Sequence, residues 1–409
     1  MFRRSQIIIL GVIGVLIVLG VLLYLGILPG FKQTQIVQPV TLNFWGVGDD
    51  EAVFREIFFD YEKLYPYVKI NYRQLNEGQY EAQLINALAA GEQIDIVMIR
   101  NGWLPKHFDK LRPLTGETAF VDFQNLYPTA AVQDFAPDKI VYALPLYLDT
   151  LALIYNRDIF DSKAIALPPR NWVEFQNVVV QLKKPVAIGG TNKSIRYATD
   201  LVQALFLQAG VPMVDENFTR AELSPRAVNP LSFYTQFSNP QSPYYSWSDN
   251  FRDSLDSFAQ GETAIIFGYQ SQLAELQDRN PALPFRVADF PRPAASVQTI
   301  AWPRYYGLAV TNTSLSPDEA WQFISFFASQ PEQAAKYQAA TGRPPALRSL
   351  LQKFLNDENL GVFARQALAA RSYPQVDDQR IGEIFSRMIE SVITGQMAPI
   401  SGKIEIGSS

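Results

Sequence analysis

From Ile7 to Leu28 every position is apolar or glycine apart from Tyr24. As a helix at about 1.5 Å per residue, such a run is long enough for about 30 Å of hydrocarbon, and it lacks the polar face that a surface helix keeps. It exceeds the roughly 7 to 15 apolar residues of a cleavable signal sequence, and no small-x-small cleavage site follows in PGFKQTQIVQPV. Arg3 and Arg4 precede the run, so the excess of positive charge assigns residues 1–6 to the cytoplasm. The expectation is a single-pass anchor in the cell membrane over 7–28 and a linker over 29–40, with the folded body on the extracytoplasmic side.

Beyond residue 40 the period shortens. VTLNFWGV (Val40 to Val47) alternates as a strand does and ends at Gly46 and Gly48, and Phe54, Ile57, Phe58 and Tyr61 follow at helical spacing. PYVKINYRQL alternates again. An Ala- and Leu-rich helix from Tyr80 to Ala90 closes at Gly91, and IDIVMIR is a short apolar strand. The order β, α, β, α, β predicts a mainly parallel sheet with helices on both faces.

LPLYLDTLALIYN, Leu144 to Asn156, is 13 residues long against about 5 to 6 for an ordinary strand, with Asp149 and Thr150 in its middle. A second α/β unit follows. Asn171 and Glu174 read as an N-cap and capping box, and Ala264 to Phe267 as a buried strand. A proline-rich stretch leads to the strand YGLAVTNTS, and SPDEAWQFISFFAS opens a helix with Ser316 as N-cap and Glu319 closing a capping box. Trp321 falls on the buried stripe of that helix.

Composition narrows the chemistry. The 409 residues carry 35 basic and 40 acidic side chains without a block of like charge, so no nucleic-acid footprint is present. Zero cysteine excludes disulfides, thiolate metal sites, Cys nucleophiles and a lipidated N-terminal Cys. His107 is the single histidine. With no G-x-S-x-G elbow and no possible H-E-x-x-H, most hydrolase schemes have no parts to work with. GGTNKS (Gly189 to Ser194) lacks the spacing of a phosphate loop. Convergence of Asp49, Asp50 and Asp149 would give the carboxylates of a glycosidase.

In open α/β sheets ligands sit outside the carboxyl ends of strands. Trp45 to Asp50 and Arg100 to Trp103 occupy such positions, and they combine aromatic, carboxylate, guanidinium and amide groups suited to a polyol or sugar.

TLNFWG, ALAAGEQIDIV, VYALPLYLDTLALIYNRDIF, PPRNWVEF, SFAQGETAIIFGY, YGLAVTNTSLSPDEAWQFISFFAS and TGRPPAL occur in the order seen in extracellular solute-binding proteins of ABC importers. Over about residues 41 to 395 the chain resembles the family 1 group that includes maltose-binding protein. The resemblance implies an α/β, two-lobed periplasmic-binding-protein-like (type II) clamp with three interlobe crossings. Lobe 1 would comprise 41–148 and about 305–322, lobe 2 would comprise 150–303 and about 323–400, and a tail would span 401–409. It further implies a non-enzymatic, monomeric binder of a small solute, a sugar or oligosaccharide by preference, that serves a permease and uses no cofactor or metal.

Carried over residue by residue, the resemblance assigns Trp45, Asp49, Asp50, Arg100 and Asn101 to ligand-facing loops of the first lobe. Asp149 falls at the first crossing, Tyr269 after the AIIFG strand, Trp302 and Tyr305 at the second crossing, and Arg343 in the TGRPPAL loop. Asn192 and Arg196 are further cleft candidates. Structural readings stand beside these: Trp45 and Trp103 as packing, Asp49 or Asp50 as a helix cap, Arg343 as a partner of carbonyls or a carboxylate. An anchored receptor that senses its ligand, or a glycan-active enzyme, are the alternative functions.

Overall fold

Residues 4–24, 38–213, 225–373, 375 and 377–396 are described in a computed structural model. The chain divides into two units, residues 1–40 and 41–409.

In the first unit Arg4–Tyr24 forms a helix. Among the described residues no helix is long and apolar enough to cross a membrane. This corrects the single-pass localisation expected from the apolar run. The end of the expected anchor and most of the linker (25–37), and the tail 401–409, lie outside the described residues.

The second unit contains two larger sheets and a two-stranded one between them. Alternation in VTLNFWGV becomes strand β1 (Val40–Val47), with Leu42 and Phe44 fully buried. Beside it lie β2 (Val68–Leu75) and β3 (Ile96–Arg100), then β4 (Leu111–Arg112) and β5 (Leu144–Pro145). Later in the chain come β6 (Asp149–Thr150), β7 (Ala152–Asn156), β8 (Ile265–Gly268) and β9 (Phe285–Ala288). The last are β10 (Pro303–Arg304) and β11 (Tyr306–Thr311).

The first sheet runs β2-β1-β3-β11-β4, with β5 also on β11. β1 and β3 are parallel, as expected, but β11 is antiparallel to β3, β4 and β5, so the sheet is mixed. The reason is connectivity: β11 re-enters this sheet after the chain has built the other one, and returns in the opposite direction. In the second sheet, β8-β7-β9, both outer strands are antiparallel to β7. Its core gathers Leu153, Ile154, Phe175, Phe267 and Phe290 together with Phe385, Met388 and Ile389 from the helix Asp378–Ile393. Full burial of each such side chain contributes about 1.5–3 kcal/mol.

Between the sheets β6 pairs antiparallel with β10, setting Asp149 opposite Arg304 and Thr150 opposite Pro303. The long run Leu144 to Asn156 is thus three short strands, β5, β6 and β7, serving three different sheets.

Local rules position the helices that frame this junction. Asn171 Oδ1 accepts from the Glu174 backbone N–H at 2.9 Å, as a capping box requires, while Glu174 accepts from the N–H of the preceding Arg170 at 2.8 Å and from the Asn171 side-chain amide at 2.7 Å rather than from the Asn171 N–H. Ser316 holds the N-cap position of Pro317–Ser329 but its side chain makes no cap bond. Its backbone N–H is taken instead by Ser314 Oγ, which donates to the buried Asp95. Gly46 is required by close packing: a Cβ there would lie 2.3 Å from the Tyr72 hydroxyl.

Candidate functional site

Two cavities, of about 640 and 130 Å³, share Glu77, Tyr197, Arg304 and Tyr306 and form one cleft. One wall comes from the first sheet and its helices: Arg100 at the end of β3, Trp103 just after it, and Glu77 and Glu81 from the helix Glu77–Ala89. The other comes from elements of the second core: Tyr197, Asp200 and Gln203 at and in the helix Ala198–Gln208, and Asp378 from the C-terminal helix. The floor is the junction itself, with Trp302, Arg304 and Tyr306.

Arg304 joins the walls. Its Nη2 donates to Glu77 Oε1 at 3.4 Å, its Nη1 lies 3.9 Å from Asp200 Oδ2, and its guanidinium sits over the Tyr197 ring at 5.5 Å. Burial opposes this charge, yet the pull of Asp200, with Tyr197 and Glu77 behind it, leaves the guanidinium pKa above the ordinary arginine value. Tyr306 donates to the same Glu77 oxygen at 3.2 Å, and Tyr269 donates to Asp200 Oδ2 at 2.7 Å.

Four of the residues expected at the site line this cleft together with Arg100: Asp149, Tyr269, Trp302 and Arg343. Asp149 is buried, and its carboxylate accepts from the backbone N–H groups of Thr150 (2.9 Å), Gln270 (3.0 Å) and Ser271 (3.1 Å). Burial pushes its carboxyl up to about 6, against the lowering effect of those bonds. Arg343 donates to Asp49 Oδ2 at 2.8 Å and lies over the Tyr147 ring at 4.7 Å. Asp49 therefore stands just behind the cleft, also bonded by the Tyr337 hydroxyl at 2.7 Å.

The others lie elsewhere. Asp50 is exposed and caps the helix Glu51–Leu64 by accepting from the Ala52 N–H at 2.8 Å. Trp45 is buried in β1 with the Arg73 guanidinium over its ring at 4.5 Å. Asn101 lines a separate cavity of about 330 Å³ and donates to Asp134 Oδ2 at 3.2 Å. Tyr305 is fully buried and donates to that same oxygen at 2.6 Å. His107 is buried beside Glu81 Oε1 at 2.7 Å.

Glu77, Tyr197, Asp200, Arg304, Tyr306 and Asp378 are cleft residues that the sequence reading did not assign. A signal for two of them was present. Extended chain alternates its side chains, so with Trp302 facing the cleft, Arg304 and Tyr306 face it too and Tyr305 points away. Asn192 and Arg196, by contrast, line the cleft as anticipated. Every charged side chain lining the cleft is already compensated: Arg100 pairs with Asp378, Arg196 with Glu275, and Glu81 with Lys106. Asp200, Glu77, Arg304 and Arg343 have the partners given above, and Asp149 is held by three backbone N–H groups rather than by a cation. The Arg100 Nε is a buried donor with no protein acceptor.

The family described as bacterial extracellular solute-binding protein matches residues 46–334. The maltotriose-binding protein of Pyrococcus abyssi is 24% identical over 79% of this chain and 70% of its own. Among solved structures, the sugar-binding protein MalE from Xanthomonas citri aligns with a TM-score of 0.76 at 21% identity, covering 88% of this chain and 93% of that one. A solute-binding protein of an ABC transporter from Thermotoga lettingae, bound with alpha-D-tagatose, aligns at 0.70 and 20% identity over 88% and 96%. At these identities the structural likeness establishes a shared two-lobed α/β fold.

Proposed function

Because the chain belongs to the bacterial extracellular solute-binding protein family, we propose that it captures a neutral sugar or oligosaccharide in the cleft and, acting as a monomer, delivers it to the permease of an ABC transporter. It is a binding protein rather than an enzyme. The observation that carries the ligand class is the charge pairing. A cleft whose charged side chains are paired with one another or, for Asp149, held by backbone N–H groups offers many hydrogen bonds and little unpartnered charge, which suits a neutral polyhydroxylated ligand better than an anion. A cleft of about 640 Å³ lies in the roughly 300–1,000 Å³ range of small-molecule pockets. The half-buried Tyr197 ring on the cleft wall supplies a flat face. The relatives point the same way, since the Pyrococcus protein is named for maltotriose and the Thermotoga protein holds a ketohexose.

In this reading the chain crosses between lobes three times, close together. Leu151 donates to the Trp302 carbonyl at 2.9 Å, β6 pairs with β10, and the Arg371 N–H points to the Ala301 carbonyl at 3.5 Å. The helices Pro317–Ser329 and Pro331–Thr341 pack on β11 and on Glu51–Leu64. We therefore place the third crossing near Arg371 rather than near residue 323, giving lobe 1 as 41–148 plus 305–370 and lobe 2 as 150–303 plus 371–396. A thermal-shift panel of neutral saccharides tests the ligand class. A binder at 100 times its dissociation constant adds about 2.7 kcal/mol to stability, whereas a panel without any shift counts against it.

A further inference from the structure

Two ion pairs cross the cleft at one edge, away from Arg304. Arg100, at the end of β3, lies 3.1 Å from Asp378, and Lys106, in the helix Leu104–His107, lies 3.1 Å from Asp377. Arg100 and Lys106 belong to the first lobe, where Lys106 is also held by Glu81 at 3.0 Å. Asp377 caps and Asp378 begins a helix whose Phe385, Met388 and Ile389 are buried in the core of the second. The contact is intimate: a Cβ on Gly102 would stand 2.9 Å from the Asp378 Cβ and 3.1 Å from Gln375 Oε1, so only glycine lets the two lobes approach this closely here.

We infer that Asp377 and Asp378, with Lys106 and Arg100, form an electrostatic latch that biases the clamp of the free protein toward closure. The inference rests on the two-lobed clamp reading but not on the identity of the ligand. Attraction across the cleft acts on the open–closed equilibrium directly, because the pairs exist only when the lobes meet. The two pairs differ in kind. Asp378 is 7% exposed and its pair with Arg100 is shielded from salt, while Lys106 and Asp377, 37% and 35% exposed, are screened by added ions. The latch therefore has one salt-sensitive component and one that is not.

The chain has no cysteine, so two spin labels can be placed without background, at the exposed Gln79 of the first lobe and Glu383 of the second. Pulsed dipolar spectroscopy on the full chain without added solute then reads the separation of the lobes. The expectation is a dominant short distance in the otherwise native protein. In Asp377→Asn/Asp378→Asn the fraction at longer distance rises at least fivefold, and in Lys106→Gln, a surface change that leaves folding intact, it rises about twofold. In native protein 0.5 M NaCl reproduces the Lys106→Gln distribution. Superimposable distributions in native protein and both variants overturn the latch. Absence of any saccharide ligand leaves this measurement unaffected, so the two readings fail separately.

Discussion

Arg343 reaches back across 294 positions to donate a 2.8 Å hydrogen bond to Asp49, tying the TGRPPAL loop to the turn after the first strand. The Tyr337 hydroxyl joins both, donating to Asp49 and accepting from Arg343. Removing the cation leaves a carboxylate that is 6% exposed without its counter-charge. Arg343→Ala is expected to cost about 3 kcal/mol in urea unfolding, the usual result of breaking a buried pair from one side. Asp49→Asn in the same chain should return part of that loss. An Arg343→Ala protein of native stability would show the pair to be dispensable.

The sequence leaves Trp45 open between a ligand-facing aromatic and a packing residue. Its ring is packed in β1 under Arg73. Trp45→Ala should cost about 3–5 kcal/mol in stability and leave solute affinity within a factor of about two in protein that remains folded. Tyr197→Ala should do the reverse, losing on the order of 1–3 kcal/mol in binding as a central aromatic contact does. Chemical denaturation and calorimetry on both variants separate the two roles.

Asp149 presents its carboxylate to three backbone N–H groups, two of them at the start of the helix Ser271–Arg279. Asp149→Ala strips these donors, of which the Thr150 N–H is buried, of their acceptor, at about 1–3 kcal/mol. The loss should appear in unfolding of the free protein. Loss of affinity alone, with the unfolding curve unchanged, would restore a direct ligand role.

Asp134 gives a pH signature. Burial pushes its carboxyl up to about 7, against bonds from Ser372, Tyr305 and Asn101 that pull it down. In the unfolded chain it titrates near 3.9. The native state thus keeps a proton that the unfolded state has released between about pH 4 and 7. Its contribution to stability is complete below about pH 4, declines as pH rises toward 7 and is gone above. Relative to Asp134→Asn, the native protein should lose up to about 4 kcal/mol across that window. Parallel stability curves from pH 4 to 8 would contradict the assignment.

Legibility in the sequence followed the range of the interaction. Strand β1 and the caps at Asp50 and Asn171 are local, and periodicity or capping chemistry displays them, whereas the division of LPLYLDTLALIYN around Asp149 is implied only by the family resemblance. Asp200 and Asp378 reach the cleft only because separate helices converge there, and nothing in their neighbours' pattern marks them. Arg304 and Tyr306 fall between these cases. Their alternation with Trp302 was readable, but which face met the cleft depended on the pairing of β10 with β6. The reversed direction of β11 was likewise invisible, since the order of elements does not say from which end a returning strand enters.

The central claim is that the cleft selects a neutral saccharide because its charges are internally paired. Calorimetry with neutral mono- to tetrasaccharides, each compared with its phosphorylated counterpart, tests this most directly. The account predicts saturable binding of at least one neutral saccharide, at least tenfold tighter than its phosphate and weakened at least tenfold by Tyr197→Ala. Saturation by a sugar phosphate or another anion, with no heat from any neutral saccharide, would contradict it.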